Sequence, residues 1–156
     1  MKQSALRNKR ARIRVLLDTS FLLPTLGIDV GEEVLMGLRR LADAEAEIYY
    51  SRFSILESLW VAARFSNSPK FDIGRFNNGL RSIMEGGRYG KVEESSEIFG
   101  KAIELYMLGH RDMVDNVLYA ASSELDLRLL TLDAELGGFV RGRGLKDTLI
   151  SPAQIA

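Results

Sequence analysis

Apolar residues along this chain alternate between short continuous runs and helical stripes. Residues 13–17 (IRVLL) form an apolar run suited to a buried strand. Residues 32–45 place Val34, Leu35, Leu38, Leu41 and Ala42 on one helical face. EIYYS, 47–51, predicts a second short strand, and SILESLWVAARF, 54–65, a buried helix with Trp60 in the core. FDIGRFNNGLRSIMEG, 71–86, is a weaker helical pattern, followed by GGRYGK, 86–91, a glycine-rich basic break. Between Glu93 and Leu108, the positions of Ile98, Phe99, Ala102, Ile103, Leu105 and Tyr106 give another stripe. A helix over 112–125 leads into LRLLTLD, a strand ending on Asp133. A short helix from Ala134, an irregular GGFVRGRG turn region and a last strand, TLIS (148–151), complete the reading. Strands alternating with helices predict an α/β domain with a mostly parallel sheet. Ligands bind such sheets at the carboxyl ends of the strands. Asp18 and Asp133 each follow a strand, so both fall on that rim.

Four carboxylates sit where helical segments begin. Asp18 can cap the turn at 19–23, and Ser54-Ile-Leu-Glu57 fits a capping box. Asp112-Met-Val-Asp115 repeats the spacing, with Asp112 as the cap, and Asp133 can cap the helix from Ala134. Each cap contributes about 1 kcal/mol and needs no further role. The set as a whole carries a second meaning. Glu57 lies between Ile55/Leu56 and Leu59/Trp60, and Asp115 between Met113/Val114 and Val117/Leu118, whereas a purely capping acid tends to stay wet. Converging carboxylates repel unless protons or cations intervene. The chain has no cysteine and one histidine, His110, so a metal here would have oxygen ligands, which select a hard ion, Mg²⁺ or Mn²⁺. His110 itself reads as a helix-start residue in a polar turn.

Composition narrows the class. With 156 residues, 46% of them hydrophobic and 27% charged, the chain is long enough for one substantial core. No apolar run approaches the roughly 20 residues of a membrane span, and no signal-peptide h-region opens the chain, so a cytoplasmic protein without membrane contact is expected. Formal net charge is zero, yet Lys2, Arg7, Lys9, Arg10, Arg12 and Arg14 crowd the first residues without an acid. Residues 1–12 therefore read as a basic extension, either a solvated leader or an arm for a polyanion, ahead of a single domain over 13–156.

LLDTSFLL, ILESLW, DMVDNVLYAASSELDLRLLTLD and GLKDTLIS together resemble the PIN-domain nucleases, especially archaeal members and the related VapC-type toxins. The resemblance spans most of residues 13–151, with 66–108 similar only in being helical. It implies a PIN-like three-layer α/β/α domain and a metal site made by Asp18, Glu57, Asp115 and Asp133. It also implies supporting roles for Ser20, which follows the first acid, and for Thr131, two residues before the last; Asp112 reads as a cap or a supporting acid. Asp133 is followed by Ala-Glu-Leu rather than an acid and an aromatic, which leaves Glu135 as an alternative ligand. The activity implied is Mg²⁺- or Mn²⁺-dependent hydrolysis of RNA phosphodiester bonds, by the toxin of a toxin–antitoxin pair or by an RNA-processing enzyme.

Phosphates need positive contacts outside an acidic centre. Arg88, Tyr89 and Lys91 in the glycine-rich break, and Arg141, Arg143 and Lys146 after Asp133, are the candidates, with Tyr89 available to stack on a base. Implied partners are RNA, a second copy of the chain and an antitoxin protein. The apolar stripes over 54–65 and 93–108 either pair two copies or face the chain's own core. The competing reading is a non-catalytic PIN-like RNA-binding or scaffold module. Dehalogenase-type and receiver-type phosphoryl-transfer domains fit less well, because Ser20 stands where the first needs a second aspartate and IRVLLDTS lacks the acidic pair of the second.

Overall fold

The computed structural model describes residues 11–156; the basic extension expected over residues 1–12 falls almost wholly outside the described residues. Elements run β1 (Arg14–Leu17), α1 (Glu32–Asp43), β2 (Glu47–Tyr50), α2 (Arg52–Phe65), α3 (Ile73–Glu85), β3 (Tyr89–Lys91), α4 (Ser96–Met107), α5 (Met113–Leu125), β4 (Arg128–Leu130), α6 (Ala134–Gly142) and β5 (Leu149–Ile150). Short 3-10 turns at Thr19–Phe21 and Pro152–Gln154 follow β1 and β5.

The five strands form one sheet in the order β3-β2-β1-β4-β5, and every pairing is parallel. β1 lies at its centre. Val15, Leu16 and Leu17 are fully buried, as a parallel strand covered on both faces requires. Val15 and Leu17 face a core shared with Phe21, Val34, Leu41, Ile55, Phe76 and Ile83, contributed by the turn after β1 and by α1 to α3. Leu16 faces the opposite core, with Ile98, Leu105, Leu118, Leu136 and Val140 from α4 to α6. Two helical layers therefore sandwich the sheet, the expected three-layer α/β/α arrangement. From β1 the chain winds outward to β2 and β3, then returns to build β4 and β5 on the other side. The reversal leaves a crevice between the carboxyl ends of β1 and β4, where doubly wound sheets bind ligands.

Several local expectations change. Residues 89–91 of the glycine-rich break are β3, paired in register through Ile48↔Tyr89 and Tyr50↔Lys91. Three residues are too few to show a period. The GGFVRGRG segment is largely the body of α6 rather than an irregular turn. The capping box at Ser54–Glu57 does not form. Ser51 caps α2 instead, its hydroxyl accepting the Phe53 N–H at 3.1 Å, which buries Ser54 inside the helix and moves Glu57 to its second turn. Trp60 is 66% exposed and is not core. His110 is buried, not a residue of a wet turn.

The edge strand β5 is closed by side chains. Thr148 and Ile150 carbonyls accept from β4, which turns Leu149 away from it. The Leu149 N–H donates to Asp147 Oδ1 at 3.1 Å, its carbonyl accepts from Arg128 Nη2 at 2.9 Å, and the Ser151 N–H donates to Gln154 Oε1 at 2.8 Å.

Leu17→Ala should cost about 3 kcal/mol, because the sheet centre cannot collapse around the cavity. Gly79→Ala tests the packing of α3. A Cβ there would lie 2.2 Å from the Thr25 carbonyl oxygen, so the variant should melt below wild type despite the roughly 1 kcal/mol that helix propensity favours alanine. Thermal denaturation measures both; a Gly79→Ala protein more stable than wild type would refute the close approach.

Candidate active site

Asp18 follows β1 at the crevice. Its N–H continues the ladder to the Leu130 carbonyl at 3.0 Å, and its carboxylate caps the following 3-10 turn by accepting the Thr19 N–H at 2.7 Å. The other carboxylate oxygen, Oδ2, accepts from Thr131 Oγ1 at 2.8 Å. Thr131 sits just past β4, and its hydroxyl oxygen also accepts the Asp133 N–H at 3.1 Å. One threonine thus ties the acid after β1 to the backbone of the acid after β4, across the crevice.

The remaining acids arrive on helices. Asp133 caps α6, with Oδ1 accepting the N–H groups of Glu135 at 2.9 Å and Leu136 at 3.1 Å. Asp112 caps α5 by accepting the Asp115 N–H at 3.1 Å, which places Asp115 in the first turn, 8% exposed. The Asp115 and Asp133 carboxyls lie close enough to shift each other's acidity, in opposite directions. Glu57, half-buried on α2, lies close enough for its charge to act on Asp18. Four elements far apart in sequence therefore deliver Asp18, Glu57, Asp115 and Asp133 to one electrostatic neighbourhood. The positive ends of α5 and α6 favour negative charge there.

That crowding shows in the acidities. Burial pushes the Asp18 carboxyl up to about 6, against the pull of the Thr131 and Thr19 donors, and the charges of Glu57 and Asp133 add to the rise. Burial pushes Asp115 up to about 9, helped by neighbouring Asp133 and by the charges of Asp18 and Asp112. Burial also acts upward on Asp133, but neighbouring Asp115, donation from the Leu136 and Glu135 amides and nearby His110 outweigh it and hold that carboxyl below its ordinary range. With its carboxyl raised, Asp115 holds its proton beside Asp133, which relieves the repulsion.

Among the described residues, no three His, Asp or Glu side chains are gathered around one point as a metal-binding group. Asp18 and Asp133 turn oxygens toward protein donors. Ser20 lies half-buried within the 3-10 turn, and the hydroxyl that orients Asp18 is that of Thr131. Asp112 and Glu135 are exposed, the first as a cap and the second in the first turn of α6. Two hydroxyls near the acids in sequence, Thr19 Oγ1 and Ser54 Oγ, are buried without a hydrogen-bond partner.

The cationic candidates divide. Lys91 is level with Tyr50 at the carboxyl ends of the strands, where it pairs with Glu93 at 3.0 Å. Arg141 lines a cleft of about 210 Å³ together with Thr131, Asp133, Glu33 and Ser151, and pairs with Asp147 at 3.6 Å. Arg143 lies over the Phe139 ring at 5.1 Å, and Lys146 pairs with Asp126 at 3.7 Å. Tyr89 is level with Ile48 and hence with Val15, three positions before Asp18, and packs against the core, with exposed Arg88 beside it. These two lie toward the end of the sheet opposite the acids. The reading of the sequence missed Glu94, which accepts from Ser51 Oγ at 2.6 Å just beyond β2 and β3, and it missed buried His110.

The protonated Asp115 predicts how stability depends on pH. A carboxyl that titrates higher in the fold than in the unfolded chain makes the fold hold the extra proton between the two values, so stability falls as pH rises through that window. Asp115 and Asp18 act in this direction above the ordinary carboxylate range; Asp133, shifted the other way, acts only below it. Without added metal, thermal stability should fall from about pH 5.5 to about pH 8.5 by roughly 2 kcal/mol or more, and Asp115→Asn should flatten the decline. A wild-type melting temperature constant across that range would refute the retained proton.

No family model matches the sequence, and no curated protein matches it either. Solved structures do share its fold. A VapBC2 complex from Rickettsia felis, bound to a DNA fragment from its promoter, superposes with TM-score 0.60 at 14% identity, over 89% of this chain and 98% of that one. FitAB bound to an IR36 DNA fragment gives TM-score 0.60 at 20% identity, over 88% and 94%. VapC20 from Mycobacterium tuberculosis, described as a sarcin-ricin loop cleaving toxin, gives TM-score 0.54 at 16% identity, over 85% and 97%. The chain thus has the PIN-like fold seen in toxin–antitoxin proteins, along nearly its whole described length.

Proposed function

We propose that the crevice between β1 and β4 is the active site of a metal-dependent ribonuclease that hydrolyses RNA phosphodiester bonds. The observation that carries the reading is the convergence of Asp18, Glu57, Asp115 and Asp133 from four separate elements, near enough for their charges to act on one another in a partly buried crevice. An all-oxygen, mutually repelling donor set suits a hard divalent cation, and the unpartnered Thr19 hydroxyl beside Asp18 adds a further oxygen. Mg²⁺ or Mn²⁺ held by the four acids would supply Lewis acidity toward a phosphoryl oxygen and lower the pKa of a water beside it.

The chain's own residues do the rest. Thr131 orients Asp18 by donation, and the α6 amides hold one oxygen of Asp133. A bound cation would take over the screening that the Asp115 proton supplies, so loading would strengthen as pH rises. Arg141, which lines a cleft with Thr131 and Asp133, and Lys91, at the carboxyl ends of the strands, would steer the phosphates flanking the reacting one; Arg88, Tyr89 and Arg143 would serve only a strand reaching further along the surface.

RNA as substrate and an antitoxin as partner are supported by the shared fold, since the neighbours include a sarcin-ricin loop cleaving toxin and a toxin–antitoxin complex. We assign the protein to the cytoplasm, where RNA is at hand; no helix among the described residues is long and apolar enough to cross a membrane. A homodimer is supported by exposed Leu56, Leu59 and Trp60 on α2 and Phe99, Ile103 and Met107 on α4, helices joined by the Phe53–Phe99 edge contact at 5.6 Å.

Asp18→Asn should lower Mn²⁺-supported cleavage of single-stranded RNA by about 100-fold or more while melting within a few degrees of wild type. Full activity in that variant would remove Asp18 from the chemistry. Millimolar Mn²⁺ should raise the wild-type melting temperature, and less so in Asp115→Asn, because binding to the native state alone stabilises it. No rise in wild type would favour the non-catalytic binding module. Trp60→Glu should shift the mass in light scattering from twice 17.4 kDa to the single chain; an unchanged mass would place the contact elsewhere.

A further inference from the structure

His110 is the only histidine, and it is buried in the connection between α4 and α5. The connection is firmly made. Gly109 takes φ +118°, which a side chain would strain, and the His110 N–H returns to the Leu105 carbonyl at 3.1 Å, fastening the residue to the end of α4. The Asn116 side chain, in the first turns of α5, then grips His110 twice. Its amide nitrogen donates to the His110 carbonyl at 2.8 Å, and its carbonyl oxygen meets His110 Nδ1 at 2.8 Å. Since an amide oxygen can only accept, the imidazole carries its proton on Nδ1. The ring also packs against Phe139 of α6, centroids 5.2 Å apart.

One imidazole thus touches the two helices that carry Asp115 in the first turn of one and Asp133 as the cap of the other. Asn116 follows Asp115 directly, so their side chains leave α5 about 100° apart. Fixing Asn116 against α4 therefore fixes the direction in which Asp115 points. Asp133 is reached from the other side, through Phe139 and the body of α6. Neither His110 nor Asn116 touches Asp18 or Glu57 through any recorded hydrogen bond, and helix propensity gives no reason to bury an asparagine there. A structural role alone would be met by an apolar pair.

We propose that His110 and Asn116 are positioning residues that hold Asp115 against Asp133, through the paired hydrogen bonds between them and the contact of the imidazole with Phe139. The inference deepens the ribonuclease reading and rests on it for its catalytic consequence, though not for its structural one.

Hydrogen exchange followed by NMR on the full chain without added metal tests the structural part. Asn116→Leu and His110→Phe keep bulk but lose the hydrogen bonds, and His110→Phe also keeps an aromatic ring for Phe139. His110→Asn keeps an N–H donor near the place of Nδ1. The first two should speed exchange at the Asp115, Asn116 and Leu136 amides by about tenfold or more, with Leu16 and Leu129 in the sheet unchanged, and His110→Asn should restore most of the protection. Unchanged protection at the helix starts, a loss spread evenly over the sheet, or a His110→Asn protein no better than His110→Phe would overturn the proposal; if Asn116→Leu does not fold, the two His110 variants decide. In Mn²⁺-supported RNA cleavage, the same losses should lower kcat by about tenfold with KM within about twofold. A raised KM with kcat intact would also overturn it. A wild-type protein that binds Mn²⁺ and cleaves no RNA would instead defeat the ribonuclease reading, and the exchange data would still decide the placement of Asp115.

Discussion

Carboxylates crowded into a half-dry crevice cannot all be ionised at neutral pH without a counter-charge, and much of the architecture manages that conflict. The sheet brings Asp18 and Asp133 to neighbouring strand ends because β1 and β4 are adjacent and parallel. Thr131 spans the gap with one hydroxyl, donating to one acid and accepting from the backbone of the other. The starts of α5 and α6 add fixed positive potential. What these do not neutralise, a proton on Asp115 does. Capping and convergence on one rim are therefore not rival explanations here. Asp18, Asp112 and Asp133 do cap helical turns, and capping is what aims them.

The sheet and its rim were legible in the sequence where long-range constraints leave a local trace. RVLL followed by an acid marks a doubly covered central strand and its exit, and LRLLTLD marks another. Asp112-x-x-Asp115 and Asp133 followed by a helix were readable as starts because caps act over three residues. The α/β class and the mostly parallel sheet followed from the same patterns, whereas the three-layer arrangement was implied by the family resemblance.

What stayed hidden depends on tertiary context. β3 is a strand only because Tyr89 and Lys91 find β2; alone, GGRYGK is a turn composition. Ser51 and Ser54 are equally good caps on paper, and the strand ending at Tyr50 selects the first. Trp60 shares a helix with buried Ile55 and Ala62, but its own face points away from the sheet. His110 looks wet between Gly109 and Arg111, and only Asn116, six residues later and one helix start away, supplies the partner that lets it be buried.

A parallel sheet with a free outer strand invites another extended chain to add to it, in the native molecule or during aggregation. Here the last strand is two residues long, and an aspartate, an arginine and a glutamine already occupy the backbone groups that an incoming segment would need. Another chain therefore cannot extend the sheet at that border by main-chain pairing unless it first displaces these side chains.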